Sequence, residues 1–275
     1  MGVLVSLWTG ARSREKEWLD RPEDLSPEDA RALCRGLSRA NLLPGGWRLS
    51  RRYLEPLILK AARRRNGSAV TLCDAGSRGA DFAIRMARWA ERQGISLQVL
   101  AVEADRQLAA VAREWTAEVP GVHVVEADAR IILEAAARGG LRNTPALRAN
   151  GDGIPAAASR FDVIFCGLMM HHYEPEEVAG WLRLFTAAST TGWVVQDLER
   201  SRLGQWAARA IAPLLSSHRY FRHDAALSFR RAYSEREWKR LARENAPGRC
   251  RVVRHRPWRI VVRGTGARHP ARPPA

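Results

Sequence analysis

The junction Thr71-Leu72-Cys73-Asp74-Ala75-Gly76-Ser77-Arg78-Gly79-Ala80-Asp81 sets the expectation for the fold of this chain. An apolar run ends in an acid, small residues and glycine follow, and an amphipathic stretch begins. Such a loop lets the backbone come close to a ligand at the carboxyl edge of a sheet. Downstream, short apolar runs alternate with amphipathic stretches, the pattern of successive βα units in a parallel sheet. Strands are predicted at 69–76, 97–104, 122–128, 161–167 and 192–198, with helices at roughly 80–93, 106–118, 129–138 and 175–188. The fold class is therefore α/β, a doubly wound and mostly parallel sheet.

Outward from this core, two helices precede the sheet. Ser26-Pro27-Glu28-Asp29 starts the first, with a capping serine, proline at the first helical position and acids in the first turn. It runs to about Asn41, Leu42-Leu43-Pro44-Gly45-Gly46 breaks it, and helical spacing resumes from Leu49 to Arg64. Residues 1–25 form an arm with Trp8 and Trp18 as docking points, and residues 26–266 form one domain. Within that domain, lid helices span 26–64, the core 69–198, a helical cap 199–246 and a C-terminal hairpin 249–264 around Pro257. The hairpin brings the sheet to seven strands. The cap holds a helix at 201–217, a basic aromatic segment, and a helix at 234–246 whose Ser234 and Glu237 form a capping box. The stretch between the third helix and the fourth strand is expected to be a surface insertion, and the tail 267–275 to be disordered.

The 275 residues carry 45 Lys and Arg against 29 Asp and Glu, a net charge of +16. Only Lys16, Lys60 and Lys239 are lysines, and the arginines are spread over every segment. A nucleic-acid partner is therefore not expected, because the charge forms no basic run. The cysteines, Cys34, Cys73, Cys166 and Cys250, lack the spacing of a zinc or redox motif, and no metal is expected. With no secretory signal and no apolar run long enough for a membrane span, a cytoplasmic protein is expected.

Three acids close successive strands: Asp74, Glu103 and Asp128. In a doubly wound sheet these ends line one crevice, where one carboxylate can accept ribose hydroxyls and another an adenine amino group. Taken singly, Asp74 and Asp128 are also candidate helix caps and Glu103 a solvated strand-end acid. An NAD-binding sheet is the nearest rival, but the glycines do not form G-x-G-x-x-G.

This order of residues resembles the class I S-adenosylmethionine-dependent methyltransferase superfamily over about residues 69–198. The resemblance implies a Rossmann-like methyltransferase fold and S-adenosylmethionine as cofactor. It places Asp74, Gly76 and Gly79 around the methionine portion, Glu103 at the ribose, and Asp128 and Ala129 at the adenine. Arg78 and Ala80 stand where that family carries its second and third glycines, so the Arg78 side chain is expected to point away from the cofactor.

The segments FCGLMMHHYEPEEV after the fourth strand and VVQDLERS after the fifth, with ANLLPGGWRLS (40–50) and HDAALSFRRAYSEREWKRL (223–241), resemble a bacterial branch near the ubiquinone and menaquinone C-methyltransferases. Gln196 and Met170 replace that branch's usual asparagine and leucine. Histidine suits proton removal from an acceptor hydroxyl. His172 is the candidate base, and His223, oriented by Asp224, a second candidate; for both, helix capping is the alternative. Tyr220, Phe221, Phe229 and Tyr233 among arginines are candidates for a pocket cap, an RNA-binding face, or an amphipathic connector packed inward. Trp181, Trp193 and Trp206 are expected to pack in the core or lid. The expected reaction is methyl transfer to a small molecule of secondary metabolism, foremost O-methylation of a phenolic, quinol or polyketide-like acceptor. Ring C-methylation, RNA methylation and a non-catalytic cofactor-binding module are the alternatives.

Overall fold

A computed structural model describes residues 10–20, 25–42, 45–144, 147, 159–246 and 248–267. Five parallel strands form the body of the sheet: β1 (Val70–Ala75), β2 (Leu97–Glu103), β3 (Val122–Glu126), β4 (Phe161–Gly167) and β5 (Ser189–Leu198). The antiparallel hairpin of β6 (Cys250–His255) and β7 (Arg259–Thr265) completes it, giving the order β3-β2-β1-β4-β5-β7-β6. The order reverses between β1 and β4, which opens a crevice at their carboxyl ends.

Two helices precede the sheet, α1 (Pro27–Leu42) and α2 (Gly46–Arg65). The crossovers are α3 (Asp81–Arg92), α4 (Arg106–Thr116), α5 (Ala129–Ala137) and α6 (Pro175–Ala188). After β5 come α7 (Arg202–Leu215), α8 (Arg219–Arg231) and α9 (Glu235–Asn245). One face of the sheet packs on α5, α6 and α9 through Phe161, Trp181, Phe185, Trp193 and Trp238. The other packs on α2 and α3 through Leu54, Ile58, Leu72, Met86 and Trp89. A third cluster, including Leu33, Leu108, Val111 and Phe221, joins α1 to α4 and α8 above the crevice.

The elements differ from expectation where local chemistry intervenes. β3 ends at Glu126 because Asp128 turns to cap α5, accepting the Arg130 N–H. β5 begins at Ser189, directly at the end of α6, where the Ser189 hydroxyl caps the Phe185 carbonyl. The basic aromatic segment is the helix α8, with Tyr220 and Phe221 turned into the core. Trp206 does not pack inward: it is 65% exposed, on the same outer face of α7 as Leu203 and Leu214. Trp8, most of the predicted insertion and residues 268–275 lie outside the described residues, although Ala267, counted in the predicted disordered tail, donates to the Thr186 and Ser189 carbonyls.

Buried Asp162 ties the amino ends of β1, β4 and β5 together. Its carboxylate accepts the Thr71 N–H and hydroxyl, the Thr190 hydroxyl and the Arg65 guanidinium at 2.9 to 3.1 Å. Asp162→Ala strands these donors together with a half-buried guanidinium. Unfolding stability should fall by about 3 kcal/mol, read from the denaturant midpoint at unchanged slope.

Candidate functional site

Asp74 closes β1 inside the crevice, 2% exposed, and its Oδ2 has no hydrogen-bond partner. It does not cap α3, whose N-cap position is Ala80. Burial, then the nearby Glu103 and Asp81 carboxylates, push its carboxyl up to about 8, against the lowering influence of Arg78. Glu103, at the end of β2, is buried too, so it is not a solvated acid. One of its oxygens accepts the Arg78 N–H at 2.7 Å and the other the Asp105 N–H at 3.0 Å. A carboxylate offers about four acceptor sites, so two backbone bonds leave capacity for further donors.

The loop between them is tightly constrained. Gly76 has φ +74°, and a Cβ there would lie 2.7 Å from the Met169 sulfur. A Cβ on Gly79 would strike Trp115 at 2.8 Å and Cys34 at 2.9 Å, so this glycine lets α1 and α4 close over the loop. Arg78 and Leu168 both hold left-handed backbone, a conformation that costs about 1 kcal/mol or more for a residue with a side chain. They face each other: the Arg78 guanidinium donates to the Leu168 carbonyl at 3.1 Å. The Arg78 side chain therefore reaches across the crevice between the two cavities.

Two cavities meet at Gly76 and Arg78. The first, a narrow space of about 50 Å³, is lined by Asp74 and Ser77, by Asn41, Trp47 and Ser50 from α1 and α2, and by Phe82, Phe165 and Gln196. Four of its lining side chains carry buried polar atoms without a partner: Asn41 Oδ1, Asp74 Oδ2, Ser77 Oγ and Gln196 Nε2. Gln196 is held in place by the Ser50 hydroxyl, which donates to its Oε1 at 2.8 Å. The second cavity, about 440 Å³, is lined by Glu103, Asp105, Asp128, Ala129, Met169 and His172, with Leu19 and Asp20 of the N-terminal arm on its far side. The second volume suits a small-molecule site.

The structure thus brings Asp74, Gly76, Gly79, Glu103, Asp128 and Ala129 to one crevice, and sets the two histidines apart from the first cavity. His172 belongs to the second cavity, its Nδ1 2.5 Å from Asp20 Oδ1, and burial, followed by the neighbouring His171 ring, holds its pKa below the usual value. His223 lines neither cavity: its Nδ1 lies 2.8 Å from Asp224 Oδ1 and its ring is stacked under Trp18 at 3.9 Å. The expected Asp224 contact is present, but that carboxylate also receives the Trp18 and Leu19 N–H groups, which clamps the arm. Sequence reasoning missed Asn41, Ser50, Gln196, Glu17 and Asp20 as site residues. Gln196 had a local signal, its place near the end of a predicted strand, and Asn41 and Ser50 fall within the segment 40–50 that carries the resemblance.

No family model matches the chain, and no curated protein matches it in sequence. Among solved structures, it is similar to a SAM dependent methyltransferase from Aquifex aeolicus, with a TM-score of 0.52 and 15% identity over 89% of this chain and 100% of the other. It is also similar to the plantazolicin methyltransferase BpumL in complex with SAH, with a TM-score of 0.53 and 8% identity over 87% and 96% of the two chains. The chain has the Rossmann-like fold of these methyltransferases. Among the described residues, no helix is long and apolar enough to cross a membrane.

A carboxyl raised from the ordinary range to about 8 contributes stability that is complete at acid pH and lost as pH rises towards that value. Asparagine has no such loss. Asp74→Asn should therefore melt higher than the native protein by at least about 1 kcal/mol, a few degrees, near pH 8, and the gain should shrink near pH 5. Melting curves at the two pH values check this.

Proposed function

We propose that this chain is an S-adenosylmethionine-dependent methyltransferase acting on a small molecule. The observation that carries the proposal is the set of four unpartnered buried polar atoms lining one cavity beside the β1 loop. Buried polar groups are expected to be paired, and these present a carboxylate, an amide oxygen, a hydroxyl and an amide N–H to the same space. That set complements an amino-acid moiety: Asp74 and Asn41 Oδ1 accept from an ammonium, while Ser77 and Gln196 Nε2 donate to a carboxylate. Glu103 is the ribose acceptor, and Asp128 with Ala129 borders the base. When bound, the cofactor supplies a methyl group already activated on a sulfonium.

The acceptor side borders the first cavity, where Trp47, Phe82 and Phe165 suit an aromatic or enolic acceptor. These residues position the nucleophile and exclude water, and positioning is the main demand of this transfer. O-methylation of a phenolic, quinol or polyketide-like acceptor is the favoured assignment. His172 as the base would have to act from the second cavity, and among the described residues no imidazole lines the first. The same observation favours one variant, C-methylation of an activated ring, which needs no proton removed from a hydroxyl. It also favours acceptors acidic enough to ionise without help.

Calorimetric titration with S-adenosylhomocysteine tests the proposal. Binding should be micromolar, and Glu103→Ala should weaken it tenfold or more, about 1.4 kcal/mol. Because Asp74 must lose its proton to meet an ammonium, binding should tighten between about pH 6 and pH 8, and Asp74→Asn should weaken it and flatten that dependence. No binding by the native protein sinks the proposal. His172→Ala with unchanged turnover across pH, once an acceptor is found, removes the base assignment.

A further inference from the structure

Three side chains, among them the His172 that borders the second cavity, converge beneath the N-terminal arm. Glu17 comes from the arm, and His171 and His172 from the single 3-10 turn that follows β4. His171 Nε2 lies 3.5 Å from Glu17 Oε1, and His172 Nε2 lies 3.7 Å from Glu17 Oε2. One ligand atom from each residue falls within 4.8 Å of the other two. A zinc-like ion with bonds of about 2.0 to 2.1 Å sets tetrahedral ligand atoms roughly 3.3 Å apart, so contraction of a few tenths of an ångström at Glu17, and somewhat more between the imidazoles, completes the geometry.

Each imidazole is oriented from behind. His171 Nδ1 lies 2.7 Å from Asp197 Oδ1, and His172 Nδ1 lies 2.5 Å from Asp20 Oδ1. A carboxylate on one ring nitrogen fixes the other as the ligand atom, the arrangement that surrounds metal-bound histidine. Asp197 is itself fixed, accepting the His171 and Leu198 N–H groups. Asp20 is fixed by the Arg231 guanidinium.

Two groups at the convergence lack the partners their burial calls for. His172 Nε2 is buried with no hydrogen-bond partner. Glu17 is 4% exposed, and among the described residues its contacts are the Ser228 hydroxyl and the two imidazoles, with no arginine or lysine within salt-bridge distance. The Arg231 guanidinium, beyond salt-bridge distance, offsets the burial of that carboxylate only in part, and one cation at the centre answers both deficits.

We propose that Glu17, His171 and His172 bind a divalent transition-metal ion of zinc-like chemistry, which staples the N-terminal arm to the wall of the second cavity. Two imidazoles and one carboxylate select such an ion over magnesium or calcium, which take oxygen donors. Three protein ligands leave a further coordination position open. The staple acts on the arm because Glu17 is three residues from Asp20, which lines the cavity beside His172. The metal site stands on these contacts alone and does not depend on the cofactor proposal.

The test uses the untagged full-length chain, stripped of metal by chelator and titrated without nucleoside. Calorimetry with Zn2+ should give one equivalent, and Co2+ should give the visible bands of a four- or five-coordinate nitrogen and oxygen site without a thiolate band. Glu17→Gln keeps an acceptor for Ser228 and should weaken binding at least about tenfold. Trypsin cleavage at Arg14 and Lys16 should slow when Zn2+ is added to the native chain and stay unchanged in the variant. Absence of stoichiometric binding, or binding that Glu17→Gln leaves intact, overturns the site. Cleavage that metal does not slow overturns the staple. Should the variant fail to fold, X-ray absorption of the native Co2+ complex decides: two imidazole ligands support the site, and none overturns it.

Discussion

Glu103 holds the loop after β1 against the end of β2 through the Arg78 and Asp105 N–H groups. The crevice depends on this pair of bonds. They fix Arg78 in left-handed backbone, which aims its guanidinium at the Leu168 carbonyl and divides one opening into two cavities. They also bring a second carboxylate close to Asp74, which is already stripped of water. A lone buried acid beside another acid is a poor arrangement for stability and a good one for meeting a cation. The strain of the loop and the unmet carboxylate thus sit together where the strand order reverses.

The sheet was legible because burial on both faces writes nearly continuous apolar runs between turn signals, as in FDVIFCG of β4. The strand-end acids were legible for a related reason: chain order fixes which strand ends meet at the switch point. α8 was less legible because its buried positions include Asp224 and Arg231, so apolar periodicity alone does not show its inner face. Trp206 inverted the usual expectation, since α7 buries the small Gly204 and Ala212 and leaves its large residues outside.

The arm was the least legible part. Its contacts join residues more than 150 positions apart: Arg12 donates to the His171 and Tyr173 carbonyls, and the Asp224 carboxylate receives the Trp18 and Leu19 N–H groups. Nothing in the local sequence of residues 10–20 records such partners. Asn41 and Ser50 escaped notice for the same reason, since their importance comes from Gln196 and Asp74, which only the fold brings near. Residues that hold a loop or satisfy a distant group leave no periodic trace.

The docking of the arm also bears on timing. Chains are made from the amino end and their domains fold as they emerge. Residues 12–20 emerge more than 150 residues before their partners at 171–174 and 224–231. They must wait for those partners before they have anywhere to settle. The second cavity therefore acquires its far wall only after residue 231 has been made, and a nascent chain can complete much of its parallel sheet before that cavity closes.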